Sequence, residues 1–442
     1  MVVRVSQTSR PSAPPETPFS PAGAGVADPQ PVAPTQGGRA QLWRIAAALT
    51  YRDFRVLWLG ACTSSIGTWM QKVAQSWLVL ELTDSAWYLA LDSFVGEAPL
   101  LLFTLIGGVV ADRQDRRKLL LVSQVVQMSS AFALALLVAT GHVTIWFILA
   151  LSFLSGCAQA FGGPAYQSLI PSLIRTEHLP NAVALNSIQF NIARVIGPLL
   201  AGAALHRFGM VSCFTLNGIS FLVVIGSLLG LHIKHTPRVS GNRRMFDELK
   251  GGIVFVRDEK RLLGLTVLAF AMTFLAIPLL TFLPLIARNV FKEGVGQYSE
   301  MMAFSGVGAV AGALVVAWLG KFRHMGLTAL LVQLIIGALI VAFALTRVLW
   351  VTHLLLLAAG AAMIVSMSLV TSLAQLIAPN EMRGRVMSIY MLAFRGGMPL
   401  GSLMSGKIAD MTSAPTALVI NGILLICVAG YFLVRSHGVR EV

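Results

Sequence analysis

Charge is scarce in this sequence. Asp, Glu, Lys and Arg together make up 12% of its 442 residues, about half the ~25% of an ordinary soluble domain. Apolar types reach 56% and mean hydropathy is +0.76. Folded in water, such a chain would expose far more apolar surface than a soluble protein tolerates, so its solvent must be lipid. Cysteine is scarce too: Cys62, Cys157, Cys213 and Cys427 each stand alone in an apolar stretch. No C-x-x-C spacing exists, which leaves zinc and disulfide readings without support and four small packing residues in their place. No nucleophile–base set, metal spacing or cofactor motif appears, so neither an enzyme nor a bound metal or cofactor is expected. Gly306-Val-Gly308-Ala-Val-Ala-Gly312 lies inside an apolar run with no lysine after it. It reads as a helix-packing stripe, not a phosphate loop. Residues 1–40 have no apolar leader core and hold eight of the 19 prolines, as a tail that cannot bury enough surface to order itself.

What is there is a series of long apolar runs. A helix needs about 20 apolar residues to cross the hydrocarbon core. Eight stretches meet that with no Asp, Glu, Lys or Arg: 119–140, 143–166, 208–233, 262–287, 301–320, 324–346, 348–372 and 411–434. Four more, 54–80, 85–111, 182–206 and 384–408, are as long but carry internal charge. The expectation is an all-α membrane protein with twelve transmembrane helices.

The net charge of +14 is distributed as a topology signal. With loops assigned alternately, one set holds 23 Lys and Arg, leaving out Arg4 and Arg10 of the tail. The other set holds five: Arg207, Arg288, Lys292, Arg347 and Lys407. Basic loops face the cytoplasm, which places both termini inside a cell (inner) membrane and removes nucleic acid as the explanation of the charge. The longest internal loop, 234–261, divides the spans six and six. The expected domains are a disordered cytoplasmic tail over 1–45, a six-helix bundle over 46–233, a cytoplasmic linker over 234–261 and a second six-helix bundle over 262–442. The halves echo each other: Arg194-Val-Ile-Gly-Pro198-Leu in the fifth helix answers Arg395-Gly-Gly-Met-Pro399-Leu in the eleventh. Parallel repeats of six-helix halves place their motifs in this way.

The loop after the second span reads Gly108-Val-Val-Ala-Asp112-Arg113-Gln-Asp115-Arg116-Arg117. It resembles the G-x-x-x-D-R-x-G-R-R signature of the major facilitator superfamily, with Asp115 in place of the second glycine. The resemblance implies two pseudo-symmetric six-helix bundles, and Gly108, Asp112, Arg113, Arg116 and Arg117 as residues that latch the cytoplasmic gate. At Gly108 the expected role is close helix approach. The stretch Ala193-x-x-x-Gly197-Pro198-x-x-Ala201-Gly202 is similar to the superfamily's antiporter signature, with alanine at two glycine positions. Further stretches, Tyr51 to Trp58, Gly67 to Gln71, Trp77 to Thr83, Ala160 to Pro171 and Leu179 to Gly202, resemble the enterobactin-exporter-like branch. That branch and the antiporter-like stretch imply export, and the expectation is a proton-driven exporter of a small organic molecule, siderophore or drug-like, working as a monomer, although the branch resemblance does not carry its siderophore substrate with it. The arginine that many proton-coupled members carry in the fourth helix is missing here, since that helix has no charge at all.

Ionisable residues deep in a membrane cost at least ~2.5–3.5 kcal/mol on insertion scales and mark a pathway or a pair. Glu97, Arg194 and Arg395 fall near mid-helix; Lys72 and Asp92 lie nearer the external ends. Arg194 and Arg395 are expected to face each other across the pseudo-two-fold axis, with Glu97 as their titratable partner. Trp58, Trp69, Trp77 and Trp87 are expected chiefly as interface anchors, and His142, His206 and His353 as loop-end residues of little meaning. The same features fit an importer or a lysophospholipid flippase of the same fold, or a non-transporting membrane receptor or assembly factor. Substrate flux separates these readings.

Overall fold

Turns as short as one residue separate twelve long helices in the structure, a computed structural model describing residues 46–231, 245–320, 322–435 and 438–440. All of the expected tail, residues 232–233 at the end of the expected first bundle and residues 234–244 of the expected linker lie outside the described residues. In chain order the long helices are α1 Arg52–Thr83, α2 Ala86–Arg113, α3 Arg116–Ala139, α4 Ile145–Leu169, α5 Leu179–Phe208, α6 Met210–Leu229, α7 Lys260–Ala276, α8 Val295–Leu319, α9 Met325–Leu345, α10 Leu349–Ile377, α11 Arg383–Met411 and α12 Ala414–Arg435. A shorter linker helix, Met245–Asp258, precedes α7. By length and composition ten spans suffice to cross a membrane. The two long helices outside that set are α1 and α11, 32 and 29 residues long, which carry Lys72 and Arg395 among many small polar residues.

Local chemistry sets the turns. Asp84 closes α1 in the left-handed region at φ 45°, and Ser85 caps α2 by accepting from the Trp87 amide. Short polar side chains tolerate both jobs. Asp115, which departs from the superfamily signature, is the N-cap of α3: its carboxylate accepts from the amides of Arg117 (2.9 Å) and Lys118 (3.3 Å). Its φ of −65° needs no glycine. The apolar run 262–287 is not one straight helix. α7 yields at Ile277 and Phe282 to two short helices, Pro278–Thr281 and Leu283–Asn289, each with proline in its first turn. Proline lacks the amide that would continue the ladder and kinks the helix.

The packing repeats with a shift of six. In the first half α2 packs on α4, α3 on α4 and α6, and α1 on α5 and α6. In the second, α8 packs on α10, α9 on α10 and α12, and α7 on α11 and α12. The halves meet through α2 with α11 and α5 with α8, which are the same pair under that shift. Glycines make the seams close. A Cβ at Gly308 would strike the carbonyl oxygen of Leu357, and one at Gly360 that of Ser305, so α8 and α10 touch backbone to backbone. In α5, Gly197 meets Trp69 and Ile66 of α1 while Gly202 meets Ser299 of α8; Pro198 is buried between them. At the end of α2 the close approach is made by Gly107, against the Ala160 carbonyl, whereas Gly108 has open space around it. The expected role of Gly108 thus falls to its neighbour.

The core is lopsided. One large cluster joins both halves and gathers at the helix ends next to the turns at 84–85, 140–144, 209, 290–294, 346–348 and 412–413. Toward the opposite end the core splits. Phe54, Leu120 and Leu185 pack within the first half, Leu268, Leu330 and Leu373 within the second, and these clusters share no residue. The molecule is therefore shut at one end and divided at the other, where the loops rich in Lys and Arg lie. The shut end also holds polar links between the halves. Arg288 donates to the Leu80 carbonyl (3.1 Å) and lies 3.5 Å from Asp84. Ser85 donates to Asp410 (2.7 Å), and Trp77, only 8% exposed, stacks on Tyr298 at 6.4 Å. Trp77 thus seals a seam instead of anchoring at an interface. Because Asp84 is 66% exposed, the ion pair itself contributes little and the carbonyl bond carries most of the link. Arg288→Ala is expected to enlarge the population open at this end roughly threefold to tenfold, the worth of one ordinary hydrogen bond of about 0.5–1.5 kcal/mol. Spin labels at His142 and Thr346 would read it as a longer distance; an unchanged distribution would show that Arg288 holds nothing.

Candidate functional site

The antiparallel hairpin of α1 and α2 sets the depth of the site. Lys72 stands 12 residues before Asp84 and Glu97 stands 12 residues after Ser85. At about 1.5 Å per residue both lie roughly 18 Å from the turn, well inside their helices. They form an ion pair at 3.4 Å, with Lys72 60% and Glu97 30% exposed. Glu97 therefore pairs with α1 in this conformation, and the expected pairing with Arg194 and Arg395 is not the one formed. One helical turn toward the shut end, Gln75 of α1 donates to both carboxylate oxygens of Asp92 (3.0 and 2.9 Å), and Ser152 of α4 donates to the same carboxylate at 2.5 Å. Gln75 and Ser152 are functional candidates that sequence reasoning passed over. For Gln75 the signal was the same hairpin arithmetic, since it is nine residues before the turn and Asp92 seven after it, whereas nothing in the sequence pointed to Ser152 of α4.

Trp69 joins this pair to α5. Lys72 Nζ lies 5.5 Å from its ring centroid and the Arg194 guanidinium 5.9 Å, with Phe190 edge-on at 6.1 Å. A cation over an indole face is held by the ring quadrupole, so Arg194 is positioned by an aromatic ring, and among the described residues it makes no ion pair. The Arg194 carbonyl sits where a Cβ on Gly306 of α8 would come within 2.9 Å, so the same residue lies on the seam between halves. Arg395 comes from the other half. It shares a face of α11 with Gly384, Ser388, Met391, Ser402 and Gly406, spaced at helical intervals. Gly384, Ser388, Met391 and Arg395 are exposed while Ser402 and Gly406 are buried. Arg395 thus marks where the closed seam gives way to the opening. Among the described residues it forms no hydrogen bond or ion pair. Lys72, Arg194 and Arg395 against Asp92 and Glu97 leave this region with one excess positive charge.

The loop signature acts at the divided end. Arg116 donates to the Ser168 carbonyl of the α4 end (3.1 Å), and Arg117 to the carbonyl of Leu229, the last residue of α6 (2.8 Å). Both satisfy carbonyls at helix ends that have no partner within their own helix. The side chains of Asp112 and Arg113 lie outside the described residues. His353 is not a loop residue: it stands within α10, 2.8 Å from Gln297 and stacked on Phe304 at 4.5 Å. No cluster that could hold a metal ion exists among the described residues.

A family model described as a transmembrane secretion effector of the major facilitator type matches residues 45–440. The chain is similar to macrolide efflux protein A of Streptococcus pyogenes, at 22% identity over 386 residues, 85% of this chain and 94% of that protein. It is 26% identical over 385 residues to the staphyloferrin A transporter of Staphylococcus aureus, covering 83% and 92% of the two chains. With the enterobactin exporter of Escherichia coli O81 it shares 25% identity over 398 residues, 88% of this chain and 95% of that one. In fold it is similar to a bacterial homologue of the human lysosomal transporter Spinster in an inward-facing, occupied conformation. The TM-score is 0.71 at 14% identity, covering 87% and 97% of the chains.

Proposed function

The chain belongs to the transmembrane secretion effector family of the major facilitator superfamily, and from that premise we propose that it is a proton-driven exporter of a small organic molecule, siderophore or drug-like, working by alternating access. The named relatives are efflux proteins and siderophore transporters. The excess positive charge and the Trp69 platform suit a substrate with an anionic group and a flat face. All twelve long helices, α1 and α11 included, cross the bilayer of the cell membrane in this reading. The divided end and both termini face the cytoplasm, and a monomer is the working unit. The two halves, 46–233 and 262–442, rock about the α2–α11 and α5–α8 seams. Arg116 and Arg117, with Gly108, Asp112 and Arg113 of the same signature, latch the cytoplasmic side when it closes. Gly197, Pro198 and Gly202 keep α5 tight against both α1 and α8 during the motion.

The observation that carries this reading is the Lys72–Glu97 pair, accessible to water at mid-depth beside Trp69 and Arg194. A carboxylate so placed is reachable by protons from the cavity. Protonating it releases Lys72, and the freed cation can engage substrate or Asp92. Reconstituted in proteoliposomes, the protein is expected to move candidate substrates outward when a proton gradient is applied and to stop when it is collapsed. Glu97→Gln should remove the pH dependence of transport while leaving counterflow exchange at fixed pH. A wild-type pH profile in that variant would remove Glu97 as the coupling group and pass the role to Asp92, testable as Asp92→Asn.

A further inference from the structure

A cavity of about 380 Å³ lies where the linker helix meets α7 and α12, lined by Arg257, Lys260, Leu263, Gly264, Val267 and Phe432. It lies in the second half at the divided end, apart from the mid-membrane charges. We propose that it binds an anionic phospholipid of the bilayer, with the phosphate at Arg257 and Lys260 and an acyl chain along Leu263, Val267 and Phe432.

Three observations converge on this ligand. The first is an ordered change of polarity. Lys260, Leu263, Gly264 and Val267 follow at i, i+3, i+4 and i+7, so they share one face of α7. Along that face charge gives way to apolar surface within about 10 Å, as headgroup gives way to acyl chain. The second is exposure that water does not explain. Leu263 and Val267 are 40% and 38% exposed, and Ile253 and Val254 of the linker helix 52% and 48%, while Val256 of the same helix is buried against Val386 and Ile389. The linker helix therefore packs one apolar side on the protein and leaves another for something else. The third is charge left open. Lys260 forms no ion pair among the described residues. Among the described residues Arg257 has only Asp258 as an ion-pair partner, at 3.8 Å with side chains 79% and 65% exposed, a contact too long and wet to neutralise it. Glu259, the remaining nearby carboxylate among the described residues, precedes α7 as its N-cap residue without a capping bond. Gly264 shapes the floor: a Cβ there would meet Val439 at 2.9 Å and Phe432 at 3.1 Å. Basic pockets between helices on the cytoplasmic side suit anionic headgroups.

The test uses the full chain in neutral detergent and follows thermal stabilisation during titration with phosphatidylglycerol, phosphatidylcholine or inorganic phosphate. Phosphatidylglycerol is expected to stabilise saturably, phosphatidylcholine weakly, and phosphate alone not at all, because the acyl groove contributes. Arg257→Gln with Lys260→Gln should weaken the phosphatidylglycerol response roughly 10- to 30-fold, the effect of two cations at a membrane surface. Val267→Trp, which fills the groove and keeps the charge, should weaken it as well. Arg175→Gln, an exposed charge in the other half, should not. Equal responses to both lipids, an unaltered response in the double variant, or an equal loss in Arg175→Gln would each overturn the site.

Discussion

Gly308→Leu is expected to leave almost no folded transporter. At this position α8 lies against the carbonyl of Leu357, and the neighbouring contacts repeat the closeness: Gly312 meets Ala361 and Gly360 meets Ser305. The obstacle is backbone on both sides. A flexible side chain could swing away, but a helix carbonyl cannot, so the two axes must separate along several turns. Overpacking a well-filled core costs about 1–3 kcal/mol even when side chains give way. Here the added side chain also opens gaps at Gly312 and Gly360, where dispersion contacts are lost. Fluorescence-detected gel filtration of a tagged chain should show aggregate or nothing for Gly308→Leu. Gly308→Ala should fold with a lowered melting temperature. Wild-type yield and melting temperature in the leucine variant would mean that the seam is not as close as described.

Arg395→Ala is expected to do the reverse, removing transport while sparing the fold. Its guanidinium makes no ion pair or hydrogen bond among the described residues, and its side chain is exposed at the opening. Removing it breaks no described contact. A charge at that depth costs roughly 2.5–3.5 kcal/mol on insertion scales, so the variant should be as stable as the parent or more so. A residue retained at such a cost with no structural bond is expected to act on what passes through. Transport in proteoliposomes should fall at least tenfold, equivalent to about 1.4 kcal/mol, with partial recovery in Arg395→Lys. Arg194→Ala should affect both properties, because that cation is held over Trp69. Undiminished flux in Arg395→Ala would leave the arginine without a function in this reading.

The helices were legible because lipid admits few solutions: every apolar run of 20 or more residues except 262–287 became one helix, and even the charged runs 54–80 and 384–408 lie within α1 and α11. The bend in α7 was signalled by Pro278 and Pro284, yet the charge-free run around them reads as a single span. Partners inside the site were harder. Glu97 was matched with the arginines through the repeat of the two halves, but the two-residue turn at Asp84–Ser85 had already placed Lys72 opposite it. Local hairpin geometry decides this conformation ahead of global symmetry. The Arg288 link to α1 joins residues more than 200 positions apart, and no pattern in a single sequence marks such a pair. Which end is shut is likewise a property of packing between halves, and both halves carry the same helix pattern.

The lopsided core has a thermal consequence. Opening the shut end would wet Trp77, Tyr298 and Phe282, while closing the divided end on the α11 face would bring together Gly384, Ser388, Met391 and Arg395, of which Met391 alone brings much oily area to hide. The two shapes then differ in heat capacity, since wetting apolar area raises it by about 0.45 cal/K/mol per Å². Cooling weakens the grip of such area. A chilled sample should therefore drift toward the shape open at the end that is shut here, and warming should return it.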